Sequence, residues 1–118
     1  MATVLALHGD ELSLSSLQSV LESFGHVVVP VTNHGRALAS ICLQDFDLLL
    51  VDIQQENLNP VGLIGAVLKA KPRARIVAIT AYPKAPTTLS VLKLGIHSLM
   101  KKPYEIGRIL AILGERRP

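Results

Sequence analysis

Residues 47–53 read Asp-Leu-Leu-Leu-Val-Asp-Ile, and the four consecutive apolar residues in this stretch decide the fold class. The run lacks polar alternation, so a strand formed here is buried on both faces. Strands of this kind lie in the middle of parallel sheets, where helices cover both sides. The stretch therefore predicts a buried central strand that carries an aspartate, Asp52, near its carboxyl end.

The sequence on either side alternates short strand-like runs with segments whose apolar residues have helical spacing. The predicted strands are Thr3 to His8, His26 to Val31, Asp47 to Ile53, Arg75 to Thr80, and Ile96 to Met100. The predicted helices run from Leu14 to Phe24, from Ala37 to Cys42, from about Gly62 to Ala70, from about Pro86 to Gly95, and after Pro103. This alternation predicts an α/β fold, a flavodoxin-like three-layer α/β/α sandwich whose five-stranded parallel sheet has the order 2-1-3-4-5.

The composition narrows the class of protein. With 118 residues, 49% of them hydrophobic, the chain is expected to form one domain over residues 1–118. Its apolar runs fall short of the roughly 18 to 20 residues that cross a bilayer, and no secretion signal opens the chain. We therefore expect a cytoplasmic protein without a membrane contact. The net charge of +3 comes from scattered basic residues without interleaved aromatic rings, so direct nucleic-acid binding is not expected.

Candidate site residues follow four neighbouring strands of this order at their carboxyl ends, which meet at one edge of a parallel sheet. They are His8, Gly9 and Asp10 after the first strand, Asp52 on the third, Thr80 on the fourth, and Lys102 after the fifth. An ionised carboxylate behind Leu-Leu-Leu-Val is costly unless it reaches solvent, a cation or a partner. Asp52 is thus either part of a functional site or a structural partner of Lys102, and its position in the sequence is compatible with both interpretations.

These residues resemble the receiver domains of two-component response regulators, and the resemblance covers nearly the whole chain. Asp52 falls at the family's phosphoacceptor, Thr80-Ala81 at its switch hydroxyl and small neighbour, and Lys102-Pro103-Tyr104 resembles its Lys-Pro-aromatic motif. The resemblance implies a signalling module, not an enzyme, in which a partner's phosphohistidine passes its phosphoryl group to Asp52. Mg²⁺ and Lys102 would neutralise oxygens, and the Thr80 hydroxyl would bind the product. It also implies a structural turn with a cis bond before Pro103.

The chain departs from the family at the acidic pair that normally follows strand one. The aligned positions hold His8 and Gly9, and Asp10 comes one place later. Mg²⁺ requires oxygen ligands in near-octahedral geometry, which neither imidazole nor glycine provides. The candidate metal ligands are therefore Asp52 and, if the loop shifts, Asp10, and we expect Mg²⁺ to bind weakly.

Two further departures concern the switch and the loop over the site. Leu99 stands where the family has a switch aromatic, so coupling of Thr80 to a rotating ring is not expected here. The pair Gly62-Leu63 lies about two residues further from Asp52 than in the family, which predicts a longer loop that partly covers the site with residues 55–60.

Three functions are compatible with the sequence. The first is a phosphorylatable receiver with impaired Mg²⁺-dependent chemistry, served by a histidine kinase or phosphotransfer protein. The second is a degenerate receiver that docks other signalling proteins without phosphorylation. Either would use one face for a partner or a homodimer. This face is formed by the fourth predicted helix, the fifth predicted strand and the last predicted helix, and it includes Leu94, His97 and Ile106. The third, disfavoured because the first loop lacks a phosphate cradle, is a small flavin, cobalamin or nucleotide enzyme on the same fold.

Overall fold

The sheet is built from five strands that overlap the predicted ones, with ends that differ by at most two residues. The computed structural model describes residues 1–31, 35–36, 38–39, 45–54 and 58–114. The strands are β1 (Thr3–Leu7), β2 (Val27–Val31), β3 (Leu48–Asp52), β4 (Arg75–Thr80) and β5 (Ser98–Lys101). The helices described in full are α1 (Glu11–Ser23), α2 (Pro60–Ala70), α3 (Pro86–Leu92) and α4 (Ile106–Leu113). Residues 35–36 and 38–39 are helical, but most of the helix predicted between β2 and β3 lies outside the described residues, as do residues 55–57 of the predicted loop.

The strand order confirms the predicted topology. The order is β2-β1-β3-β4-β5, and each neighbouring pair is parallel. All five residues of β3 are buried, as expected for the centre of a parallel sheet. The central position of β3 therefore agrees with the apolar run that opens this strand.

Side-chain alternation divides the interior into two layers, one on each face of the sheet. On one face Leu48 and Leu50 of β3 belong to a cluster with residues of α1 and α4. On the other face Leu49 and Val51 belong to a cluster with residues of α2 and Val91 of α3. The helices thus cover both faces, which completes the three-layer sandwich.

Capping residues explain why two helices begin earlier than predicted. Asp10 accepts a hydrogen bond from the Leu12 backbone at 3.1 Å, so α1 begins at Glu11. Asn59 accepts one from the Gly62 backbone at 3.0 Å, and α2 begins at Pro60. A Cβ on Gly62 would lie 2.7 Å from the Asn59 amide nitrogen, so a larger residue here would force the capping side chain to shift.

Pairing with a neighbour sets the ends of the edge strand β5. The sequence predicts Ile96 to Met100, whereas the ladder with β4 runs from Ser98 to Lys101. The helix before β5 also ends earlier than predicted, at Leu92, and Gly95 follows with φ 83°. Residues 93–97 therefore form the connection.

None of the helices in the described part of the chain has the length and apolar character that a membrane span needs.

Leu49 tests how far the fold depends on the buried β3 strand. Its side chain is fully buried, so Leu49→Ala should lower the free energy of unfolding by about 2 to 5 kcal/mol through lost burial and a residual cavity. Leu12→Ala is the control, since Leu12 is 80% exposed on α1 and its loss should change stability little. Denaturant unfolding followed by circular dichroism measures both, and equal effects would contradict the assignment of β3 as the core strand.

Candidate functional site

The site centres on a carboxylate that ends the central strand and is almost fully buried. Asp52 is 3% exposed, and its Oδ2 accepts a hydrogen bond from Lys102 Nζ at 2.7 Å. Its Oδ1 accepts the backbone N–H of Gln54 at 3.1 Å. Both carboxylate oxygens therefore have donors supplied by the chain itself, and the ammonium compensates the buried negative charge.

Lys102 reaches Asp52 because of its place in the sheet. It follows β5, which lies two strands from β3, and its backbone N–H continues the ladder by donating to the Thr80 carbonyl at 2.9 Å. The bond between Lys102 and Pro103 is cis, as predicted. The Lys102 side chain remains 30% exposed, so solvent reaches one side of the ion pair.

His8 occupies the position of the first missing acid, and it is buried beside the ion pair. Its Nδ1 lies 3.8 Å from Asp52 Oδ2 and accepts the backbone N–H of Asp10 at 3.2 Å. A neutral imidazole that accepts at Nδ1 carries its proton at Nε2. Among the described residues, Nε2 of His8 is buried with no hydrogen-bond partner.

Burial lowers the pKa of His8 below the ordinary value of 6.5, because the charged imidazolium loses hydration. Asp52 opposes this shift and Lys102 reinforces it. His8 is therefore neutral at pH 7 and contributes neither a negative charge nor an anionic oxygen. The Tyr104 ring lies 6.4 Å away, centroid to centroid, and burial, followed by the Asp52 charge, raises the pKa of its hydroxyl.

The residues after β1 do not fit a magnesium ion. Gly9 has no side chain, and Asp10 is an exposed helix cap that binds the Leu12 backbone and, at 2.7 Å, the Ser13 hydroxyl. The Ser13 hydrogen bond is the main reason that the pKa of Asp10 is lowered. Across the described residues, no three histidine, cysteine, aspartate or glutamate side chains gather where a metal could bind. The donors present thus differ from the oxygen shell that Mg²⁺ requires.

Thr80 ends the neighbouring strand and is 1% exposed. The residue before it, Ile79, is in register with Asp52, but alternation places Thr80 toward the other face of the sheet. Its hydroxyl oxygen accepts the backbone N–H of Tyr82 at 2.9 Å. The buried Thr88 hydroxyl donates to the Tyr82 carbonyl at 2.8 Å, so the loop after β4 is held from two sides.

One contributor to the site was not predicted from the sequence. The side-chain carbonyl oxygen of Gln54 accepts the backbone N–H of Ala81, which joins the loop after β3 to the loop after β4. Proximity in sequence to Asp52 was the one available signal, and it does not indicate the direction of a side chain. Leu99, at the position of the family's aromatic, packs half-buried against the cluster beside α2 and α3.

Replacing Lys102 should lower the stability of the protein, because the buried Asp52 carboxylate would lose its cation. Lys102→Met is expected to reduce the free energy of unfolding at pH 7 by about 3 kcal/mol, the lower end for a buried pair because the lysine is partly exposed. Adding Asp52→Asn should restore part of the loss. Lys71→Met is the matched control, since its 2.6 Å pair with Asp45 is exposed and should matter little. A loss no larger than the control's in urea unfolding would contradict the proposed compensation.

The lowered pKa of His8 predicts a pH dependence of stability. As pH falls below 6.5, the unfolded chain takes up a proton at this histidine before the folded chain does, so the folded state loses stability until the pH passes the folded pKa. His8→Gln should flatten this part of the profile, because glutamine does not titrate. Urea midpoints between about pH 8 and about pH 5 measure the difference. Parallel profiles for both proteins would show that His8 titrates normally.

Comparison with known proteins agrees with this geometry. Residues 4–114 match the response regulator receiver domain family. The chain is 24% identical over 110 residues to the transcriptional regulatory protein ZraR of Escherichia coli, a match that covers 93% of this chain but 25% of ZraR. The chain thus spans about a quarter of the length of that relative.

Solved structures share the fold. A response regulator from Burkholderia pseudomallei, solved with a phosphorylated aspartic acid, calcium and citrate, aligns with a TM-score of 0.86 and 27% identity over 94% of this chain and 65% of that one. The beryllofluoride-activated NtrC4 receiver domain dimer aligns with a TM-score of 0.84 and 23% identity over 96% of this chain and 93% of that one. Because the family match spans residues 4–114, the chain belongs to the response regulator receiver domain family of two-component signal transduction.

Proposed function

We propose that this receiver domain accepts a phosphoryl group on Asp52 and does so slowly, because its Mg²⁺ site is impaired. The observation that carries the proposal is the direct 2.7 Å contact between Lys102 Nζ and Asp52 Oδ2, beside His8 and Gly9 in the places of two acids. A site with several carboxylates attracts a divalent cation, whereas here one carboxylate is already neutralised by an ammonium. Mg²⁺ loses much of its electrostatic reason to bind.

The transfer itself requires few groups from this chain. A carboxylate oxygen of Asp52 attacks the phosphorus of a partner's phosphohistidine, the N–P bond breaks, and the electron pair returns to the imidazole of the partner. Lys102 offsets the charge on the oxygens, and the Thr80 hydroxyl donates to the bound phosphoryl group. A histidine kinase or a phosphotransfer protein is the partner that supplies this phosphohistidine.

The alternative is a receiver that docks partners without phosphorylation. The pairing of both Asp52 oxygens with Lys102 and the Gln54 backbone supports it, since the site is satisfied without a phosphoryl group. Family membership favours either receiver function over a flavin, cobalamin or nucleotide enzyme. We further propose that residues 1–118 form one domain, and that it acts in the cytoplasm.

Restoring the acidic pair should restore metal-dependent phosphorylation. We expect Gly9→Asp to raise Mg²⁺ affinity by on the order of tenfold or more, because the aspartate adds an anionic oxygen beside Asp52. His8→Asp together with Gly9→Asp should raise it further. Labelling of Asp52 by acetyl phosphate should accelerate in parallel. Titration and intact mass measure the two quantities.

Asp52→Asn is the control for this experiment and should abolish labelling in every background. Rapid labelling of the unmodified protein with tight Mg²⁺ binding would show that Asp10 or the loop backbone supplies the missing ligands. No labelling of any variant, including the doubly acidic one, would favour the phosphorylation-independent alternative.

A specific observation supports self-association through the face next to the edge strand. Leu89 and Leu92 lie one helical turn apart on α3 and are 49% and 42% exposed. His97 is also exposed, whereas Leu94 and Ile106 are half-buried and pack against the two core clusters. The apolar surface available to a second copy is therefore contributed mainly by α3.

Charge placed on this face should weaken the association. Leu92→Glu is expected to shift the protein toward monomer in concentration-dependent light scattering, because a carboxylate at an apolar interface loses hydration. Leu12→Glu, an equally apolar and more exposed position on α1, is the control and should have no effect. A monomer at all concentrations for the unmodified protein, phosphorylated or not, would contradict the homodimer.

A further inference from the structure

Gln54 connects the two loops that border Asp52. Its backbone N–H donates to Asp52 Oδ1 at 3.1 Å, and its side-chain carbonyl oxygen accepts the backbone N–H of Ala81. Ala81 directly follows Thr80, and Ile79 of the same strand is in register with Asp52. One residue therefore links the carboxylate to the end of β4.

A phosphoryl group on Asp52 would bring anionic oxygens that require hydrogen-bond donors. The donors near this sheet edge include the Lys102 ammonium, the Thr80 hydroxyl and the Ala81 N–H. A backbone N–H has a single proton, and the Gln54 carbonyl already occupies the one on Ala81. An incoming phosphoryl oxygen must displace this carbonyl to use the donor.

We propose that the Gln54 side chain is a gating residue, a resident acceptor that competes with the phosphoryl group for the Ala81 N–H. The inference rests on the proposed phosphorylation of Asp52 and adds a second restraint that is independent of Mg²⁺. The Gln54 side chain acts through the donor that it occupies, so Gln54 is a positioning residue.

The surrounding contacts allow the gate to open without disturbing the site. Gln54 is exposed, so its side chain can turn into water, while its backbone N–H stays on Asp52. The Thr80 hydroxyl accepts the Tyr82 N–H, and the Thr88 hydroxyl donates to the Tyr82 carbonyl. These bonds keep the loop in place after the Gln54 side chain leaves. The Ala81 N–H thus remains oriented, and opening loses one hydrogen bond. The net value of such a bond corresponds to about fivefold in an equilibrium.

Gln54→Met tests the gate because methionine has nearly the same length and lacks the carbonyl. In intact-mass assays with acetyl phosphate and Mg²⁺, we expect Gln54→Met to label about fivefold faster than its parent. The comparison is made in the unmodified chain and in the variant with His8→Asp and Gly9→Asp. Gln54→Glu keeps an acceptor oxygen and should not accelerate labelling. Gln18→Met, the same exchange on the exposed side of α1, controls for the substitution itself.

The Ala81 amide provides a readout that needs no phosphorylation. Hydrogen exchange measured by NMR should be about fivefold faster at Ala81 in Gln54→Met than in the unmodified protein, and close to unchanged in Gln54→Glu. Labelling that Gln54→Met leaves unchanged or slows, with Asp52 still labelled, overturns the gate alone. Unchanged exchange at Ala81 also overturns it. Absence of labelling in every variant overturns the proposed phosphorylation, and the gate with it.

Discussion

The contact between Lys102 and Asp52 is the constraint on which the rest of this site depends. The central strand has to be apolar to bury both faces, yet it ends in a carboxylate that is 3% exposed. Such a charge persists only if a cation or donors compensate it, since the cost of removing it from water is several kcal/mol. Lys102 provides that cation from two strands away, a separation of roughly 10 Å that the lysine and aspartate side chains and the 2.7 Å hydrogen bond between them span together.

In this receiver fold, both oxygens of Asp52 accept hydrogen bonds from groups of the chain itself. His8 and Gly9 stand in place of an acidic pair, the Lys102 ammonium binds Asp52 directly, and the neutral His8 adds no negative charge to attract a cation. The Gln54 backbone N–H donates to the other carboxylate oxygen of Asp52, and the Gln54 side-chain carbonyl accepts from the Ala81 N–H. The Lys102 ammonium and the two loops that border Asp52 are therefore joined by hydrogen bonds within the chain.

The two faces of the sheet give the site two sides with different surroundings. His8 and Asp52 follow the alternation of residues that face α1 and α4, and a pocket on that side is lined by His8, Lys102 and Tyr104. Thr80 faces the side of α2 and α3, where a second pocket is lined by Gln54, Thr80 and Thr88. His8 and Lys102, which lie next to Asp52, thus line one pocket, and Thr80 lines the other. Gln54 links the two sides because it contacts both Asp52 and Ala81.

The sequence by itself determined the alternation of strands and helices and the central place of β3, because periodicity and burial are local properties. The apolar run Leu48 to Val51 indicated a central parallel strand, and the carboxyl ends of parallel strands meet at one edge. The sequence also indicated that Asp52 and Lys102 share that edge and that His8 and Gly9 weaken a metal site. Only the tertiary structure decided which Asp52 oxygen Lys102 reaches, that His8 is buried beside this ion pair, and that the Gln54 side chain turns toward Ala81. These features depend on distances between loops of different strands, and neither spacing nor composition encodes such distances.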